Sequence, residues 1–141
     1  MYKTLIPLVG VILSVPLFAA SFNCPSEIHT DQALKEIPSG WKSFIDTKNE
    51  DHRLLSVSFY DGPPQSMTDL VPDNPGSNDP PVWTFSKAIG RAYWEVCHYA
   101  DTSVKVTKQL PGSIKRCSVV YSKDSEIHIY VYRLIEDVIC E

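Results

Sequence analysis

The chain has 141 residues, with 13 Lys and Arg against 17 Asp and Glu, and a formal net charge of −4. Hydrophobic residues make up 43% of it, the composition of a globular chain and not of a disordered one. The mild acidity argues against nucleic acid or an anionic membrane surface as the main partner.

Residues 1–21 read as a secretory signal peptide. Lys3 supplies the positive start, and Leu5 to Phe18 is an apolar run broken by Pro7, Gly10, Ser14 and Pro16. Ala19-Ala20-Ser21 then offers small residues for cleavage before Phe22. The run is shorter than the ~20 residues a spanning helix needs. Ser21-Phe22-Asn23 before Cys24 is not the small-residue context of a lipidated cysteine. The expected mature chain is one exported domain over 22–141, without a membrane anchor and located in the periplasm. Loss of Lys3 takes its formal charge to −5.

In chain order, Glu27-Ile28-His29-Thr30 starts a strand, and Asp31 to Ile37 has the makings of a helical turn before Pro38. Ser39-Gly40 is a turn, and Trp41 to Asp46 reads as a short strand. Arg53 to Tyr60 alternates: Leu55, Val57 and Phe59 face one way, Ser56 and Ser58 the other.

Residues 61–81 differ in kind. Six prolines (63, 64, 72, 75, 80, 81) stand there with Asp61, Asp69, Asp73 and Asp79 and no base. Ser66-Met67-Thr68-Asp69 resembles a capped turn, and Leu70-Val71 is the apolar anchor. A connection this long is either functional or disordered, and the proline density favours a stiffened loop.

Further strands follow at Val82–Phe85, Arg91–Tyr99, Val104–Leu110, Ile114–Tyr121 and Glu126–Leu134. Short strands at this spacing, with no amphipathic helix, predict a mainly β fold. The expectation is an antiparallel sandwich or partly closed barrel with one long proline-rich loop.

Cys24, Cys97, Cys117 and Cys140 are an even number in an exported chain, so disulfides are the default. No Cys-x-x-Cys or Cys-x-His spacing favours a metal instead, and Cys97-His98 would point to opposite faces of a strand. Chain proximity suggests Cys97–Cys117, leaving Cys24–Cys140 to tie the termini. In a plain meander, however, the Val104–Leu110 strand would hold Cys97 and Cys117 ~9.5 Å apart. A bridge needs Cα atoms within ~7 Å. Either that middle strand projects away as a hairpin or another connectivity holds.

Catalytic constellations are missing: there is no Gly-x-Ser-x-Gly, no Ser-x-x-Lys and no His-Glu-x-x-His. His29, His52, His98 and His128 are scattered, so no metal or cofactor is expected. Glu50-Asp51 and Glu136-Asp137 read as solvated turn charges. Glu95, between Trp94 and Val96, is the one carboxyl whose setting suits an acid catalyst; an ion pair with a neighbouring strand is the other reading. Two surfaces suit binding. The acidic loop offers Asp61, Asp69, Asp73 and Asp79 around Leu70. The face formed by His128, Tyr130 and Tyr132 is either a contact surface or a second core layer.

Several motifs together carry a family resemblance. They are Cys24-Pro25, Tyr60-Asp61-Gly62-x-Pro64, Leu70-x-Pro72, Trp83-x-Phe85, Tyr93-Trp94-x-x-Cys97-x-Tyr99, Leu110-Pro111 and Cys140. The chain resembles a group of small exported proteins of Gram-negative bacteria, some encoded near type VI secretion effector and immunity loci. The resemblance implies a periplasmic inhibitor or immunity protein that blocks a cell-wall-targeting hydrolase or effector by contact, without catalysis. The alternatives are an envelope glycan-active enzyme using Glu95 with a loop aspartate, and a structural envelope protein without a discrete site.

Overall fold

A computed structural model describes residues 22–87, 89–122 and 134–141. The leader expected over 1–21 and the face expected from His128, Tyr130 and Tyr132 lie outside the described residues. The same holds for nearly all of the strand expected over Glu126–Leu134.

Seven strands are present among the described residues: β1 (Glu27–His29), β2 (Asp51–Asp61), β3 (Val82–Thr84), β4 (Tyr93–Tyr99), β5 (Lys105–Gln109), β6 (Arg116–Tyr121) and β7 (Ile135–Cys140). They form two antiparallel sheets, one ordered β1-β2-β4-β5 and the other β3-β6-β7. The expected mainly β, disulfide-stapled architecture is what the chain adopts. Among the described residues no helix is long and apolar enough to cross a membrane.

The sheets meet through alternating inward residues. Val57 and Phe59 of β2 pack against Trp83, Cys117, Val119 and Val138 of the second sheet, with Phe85 and Leu110 closing the sides. Phe59 is fully buried, its ring 4.9 Å from Trp83 and 5.5 Å edge-on to Phe85. Such tilted aromatic pairs add to the burial itself.

Leu55 departs from the alternation read for β2. The β2–β4 register shifts between Leu54 and Ser56, and Leu55 is left exposed at the irregularity. One extra residue at a bulge turns its side chain out of phase with the strand.

The sulfurs pair differently from the expectation based on chain proximity. Cys24 bonds Cys97 with Cα atoms 5.8 Å apart, and Cys117 bonds Cys140. Cys97 and Cys117 belong to different sheets, because β5 stays beside β4 while the chain crosses to build β6. The N-terminal segment instead passes under β4, where the Tyr99 hydroxyl donates to the Pro25 carbonyl at 3.0 Å and Cys24 reaches Cys97.

Four local expectations are corrected. Residues 31–46 form neither the helical turn nor the strand read from Asp31–Ile37 and Trp41–Asp46; they run as an irregular loop into a 3₁₀ turn at Thr47–Asn49. The capped turn expected at Ser66–Asp69 is a 3₁₀ turn one step earlier, Pro64–Ser66, ended by Met67 at φ 56°. Glu136 and Asp137 lie within β7 and not in a turn, held there by pairing of Val120 with Asp137 and Cys117 with Cys140.

Candidate functional site

The proline-rich loop is bound closely to its own scaffold. The Asp61 amide donates to the Thr68 carbonyl at 3.0 Å, and the Leu70 amide to the Phe59 carbonyl at 2.8 Å. Asp69 thereby stands beside Tyr60 as a short antiparallel extension of the sheet. Trp83 Nε1 donates to the Leu70 carbonyl at 2.9 Å, which ties the loop to the core. Beyond Leu70 the Asp73 amide donates to Val82, the Val82 amide to Asn74 Oδ1, and Asn74 Nδ2 to Pro80.

The loop residues proposed for binding separate into three groups. Leu70 packs against the core, so it anchors the loop to its own sheet and does not project toward a partner. Asp61 is half-buried and pairs with Arg91 Nη1 at 3.3 Å. Asp69, Asp73 and Asp79 point to solvent. Asp79 is oriented by Ser77, whose hydroxyl donates to its Oδ2 at 3.1 Å.

Asp69 also belongs to a face that periodicity alone does not isolate. Because successive strand residues alternate faces, Asp69, Tyr60 and Trp94 line up on the outer side of the first sheet, beside Ser58 and His98. Ser58 Oγ and His98 Nε2 are 2.7 Å apart, and Lys105 Nζ donates to the Tyr60 hydroxyl at 3.4 Å across the buried Val96. Burial holds the His98 pKa below its ordinary value; Lys105 pushes the same way and Asp69 opposes. The signal available in sequence was the outward phase of Ser56 and Ser58, which fixes the same phase for Tyr60.

Glu95 faces inward instead. It is 2% exposed, opposite Phe59 and Lys108 in register, with Cys24 Sγ 3.8 Å from its Oε1. Burial pushes its carboxyl up to about 7, partly opposed by Lys108. That is a proton-holding group, but Asp69 is on the opposite face of the sheet, Asp73 and Asp79 are out in solvent, and Asp61, on the same face two residues from Phe59, is paired with Arg91.

Among the described residues, two clusters have the ligand types for a metal. Glu95 sits with Cys24 and Cys97, whose sulfurs are bonded to each other. Glu27, His29 and Asp51 are all exposed, with His29 Nδ1 already in contact with Asp51 Oδ1.

A model of the type VI secretion system Tli immunity protein family matches residues 47–141. The chain is also similar to an uncharacterised 16.3 kDa protein from the trpG 5′ region of Azospirillum brasilense, 26% identical over 136 residues that cover 89% of each chain. No solved structure matches the chain.

Proposed function

The chain belongs to the type VI secretion system Tli immunity protein family, and on that premise we propose that it is a periplasmic inhibitor of a cell-wall-targeting hydrolase delivered as an effector. Family membership implies a protein partner, the effector, and a task performed by binding. The periplasmic location is supported by the export signal read in residues 1–21. It is supported also by the pairing of all four cysteines, since disulfides persist in oxidising compartments.

The observation that carries the binding mode is the stitching of loop 61–81 onto β2 and β3. Asp69, Asp73 and Asp79 are exposed on a segment already ordered by backbone hydrogen bonds, so little entropy is lost when a partner docks. Three carboxylates and no base suit a basic cleft, such as one that binds an anionic wall polymer. The inhibitor covers that cleft and keeps substrate out.

The test is protection in cells. A candidate type VI effector is directed to the periplasm of a susceptible host, together with either the full chain or residues 22–141 kept in the cytoplasm. Protection by the exported form alone is expected, with inhibition of purified effector on peptidoglycan. Protection by the cytoplasmic form alone would overturn the location. Inhibition confined to phospholipid substrates would overturn the target class.

A further inference from the structure

We propose that the β1–β2 loop, residues 31–49, is a second docking element that inserts Trp41 and Phe44 into an apolar pocket of the effector with a basic rim. The proposal rests on the effector-binding reading above and adds the part of the chain that supplies apolar contact.

The loop exposes what a folded chain normally buries. Trp41 is 75% exposed, Phe44 88% and Ile45 57%, and Leu34 and Ile37 are also open to solvent. Large apolar side chains concentrated in one exposed segment point to an interaction site. A connection this long in a compact domain is either functional or disordered.

The base of the loop is closed. The Thr30 amide donates to the Glu50 carbonyl at 3.0 Å, and His29 pairs with Asp51 in the β1–β2 ladder. Buried His52 fastens the same point: Nδ1 donates to the Ala100 carbonyl at 2.8 Å, while Nε2 accepts from Thr30 Oγ1 and Gln32 Nε2. Within the loop, the Trp41 amide donates to the Pro38 carbonyl, and Gly40 at φ 83° gives the turn its shape. Trp41 therefore stands on a defined turn, three residues before Phe44.

Charge selects the occupant. Phe44 and Ile45 open onto a cleft of about 480 Å³ whose walls include Asp46, Glu50, Asp51 and Asp101 and no Lys or Arg. The loop's own charges balance, Asp31, Glu36 and Asp46 against Lys35, Lys42 and Lys48. An apolar projection beside four carboxylates is complementary to an apolar pocket rimmed by Lys or Arg. A second copy would set these acids against themselves, and a bilayer with anionic headgroups would repel them. Trp is among the residues that most often carry interface energy, and truncating such anchors is costly.

The experiment compares the mature wild-type chain with Trp41→Ala/Phe44→Ala against the purified effector that the wild-type chain inhibits. Both side chains already stand in water, so thermal unfolding of the variant is expected to match wild type while effector affinity falls about a hundredfold. Asp101→Asn is expected to slow association, more so at low salt. Equal affinity of wild type and double variant overturns the docking element while leaving effector binding intact. A wild-type dimer that the double variant cannot form assigns the loop to self-association and overturns the proposal. Flotation with phosphatidylethanolamine–phosphatidylglycerol vesicles, lost in the variant, overturns it in favour of a lipid surface. If wild type itself fails to bind effector, the functional reading falls with it, an outcome distinguished by the unsubstituted chain.

Discussion

Cys117 and Cys140 face each other directly across β6 and β7, their Cα atoms 4.1 Å apart, so one covalent bond closes the chain around the end of the second sheet. Its counterpart, Cys24–Cys97, spans 73 residues and fixes the N-terminal segment beneath the first sheet. Neither bridge joins the two sheets to each other. That task falls to the aromatic contacts of Phe59.

The longer bridge is expected to contribute more stability. Loop-closure entropy gives about 4.5 kcal/mol for Cys24–Cys97 and about 3.5 kcal/mol for Cys117–Cys140, whose separation is 23 residues. Paired Cys→Ala substitutions, followed by urea denaturation, should rank the two in that order. The reverse ranking would show that native-state effects outweigh chain entropy.

Glu95 makes stability fall as pH rises. Its folded pKa of about 7 lies above the ordinary carboxylate value of 4.5, so between those values the folded state holds the proton more often than the unfolded chain. Stability is expected to be greatest below about pH 4.5 from this group and to decline through pH 7 by up to ~3 kcal/mol. Glu95→Gln should remove that slope and leave the protein more stable than wild type at pH 8. Parallel pH profiles in denaturation experiments would refute the assignment.

Phe59→Ala is expected to cost about 3–5 kcal/mol, because it empties the contact between the sheets and leaves Trp83 and Phe85 without their partner ring. Leu55→Ala, at the exposed irregularity one turn of the pleat away, should cost under ~1 kcal/mol. Thermal unfolding of the two variants separates a core position from a bulge that shares its sequence pattern.

Replacing Asp69, Asp73 and Asp79 together by Asn is expected to weaken effector binding about tenfold and to flatten its salt dependence, since exposed charges act mainly on the association rate. Surface plasmon resonance at two ionic strengths reads both. Unchanged kinetics would remove the loop from the interface. Trp83→Phe, which deletes the donor to the Leu70 carbonyl, should cost ~1 kcal/mol and speed amide exchange in the loop.

Local pattern was enough to find the strands that alternate. Val57 and Phe59 in β2 and the stretch ending at Tyr121 in β6 announce themselves because burial on one face writes a period of two into the residues. Tyr93–Tyr99 in β4 was legible instead from its aromatic and β-branched composition, with Glu95, Val96 and Cys97 all buried. β7 escaped, since Glu136-Asp137 looks like a solvated turn until Val138 is seen buried beneath β6. Trp41–Asp46 misled in the other direction: its apolar residues suggest a strand, yet no neighbouring strand pairs with it.

From sequence alone came the β class, the involvement of all four cysteines in bridges and the stiff acidic loop, because each is a property of composition or of near neighbours along the chain. Which sulfur meets which, which way Leu70 turns, and the outer face shared by Asp69, Tyr60 and His98 were decided only by tertiary structure. Those depend on strand order and register, and a chain that sends β5 back beside β4 but β6 into another sheet sets them through contacts between residues far apart in sequence.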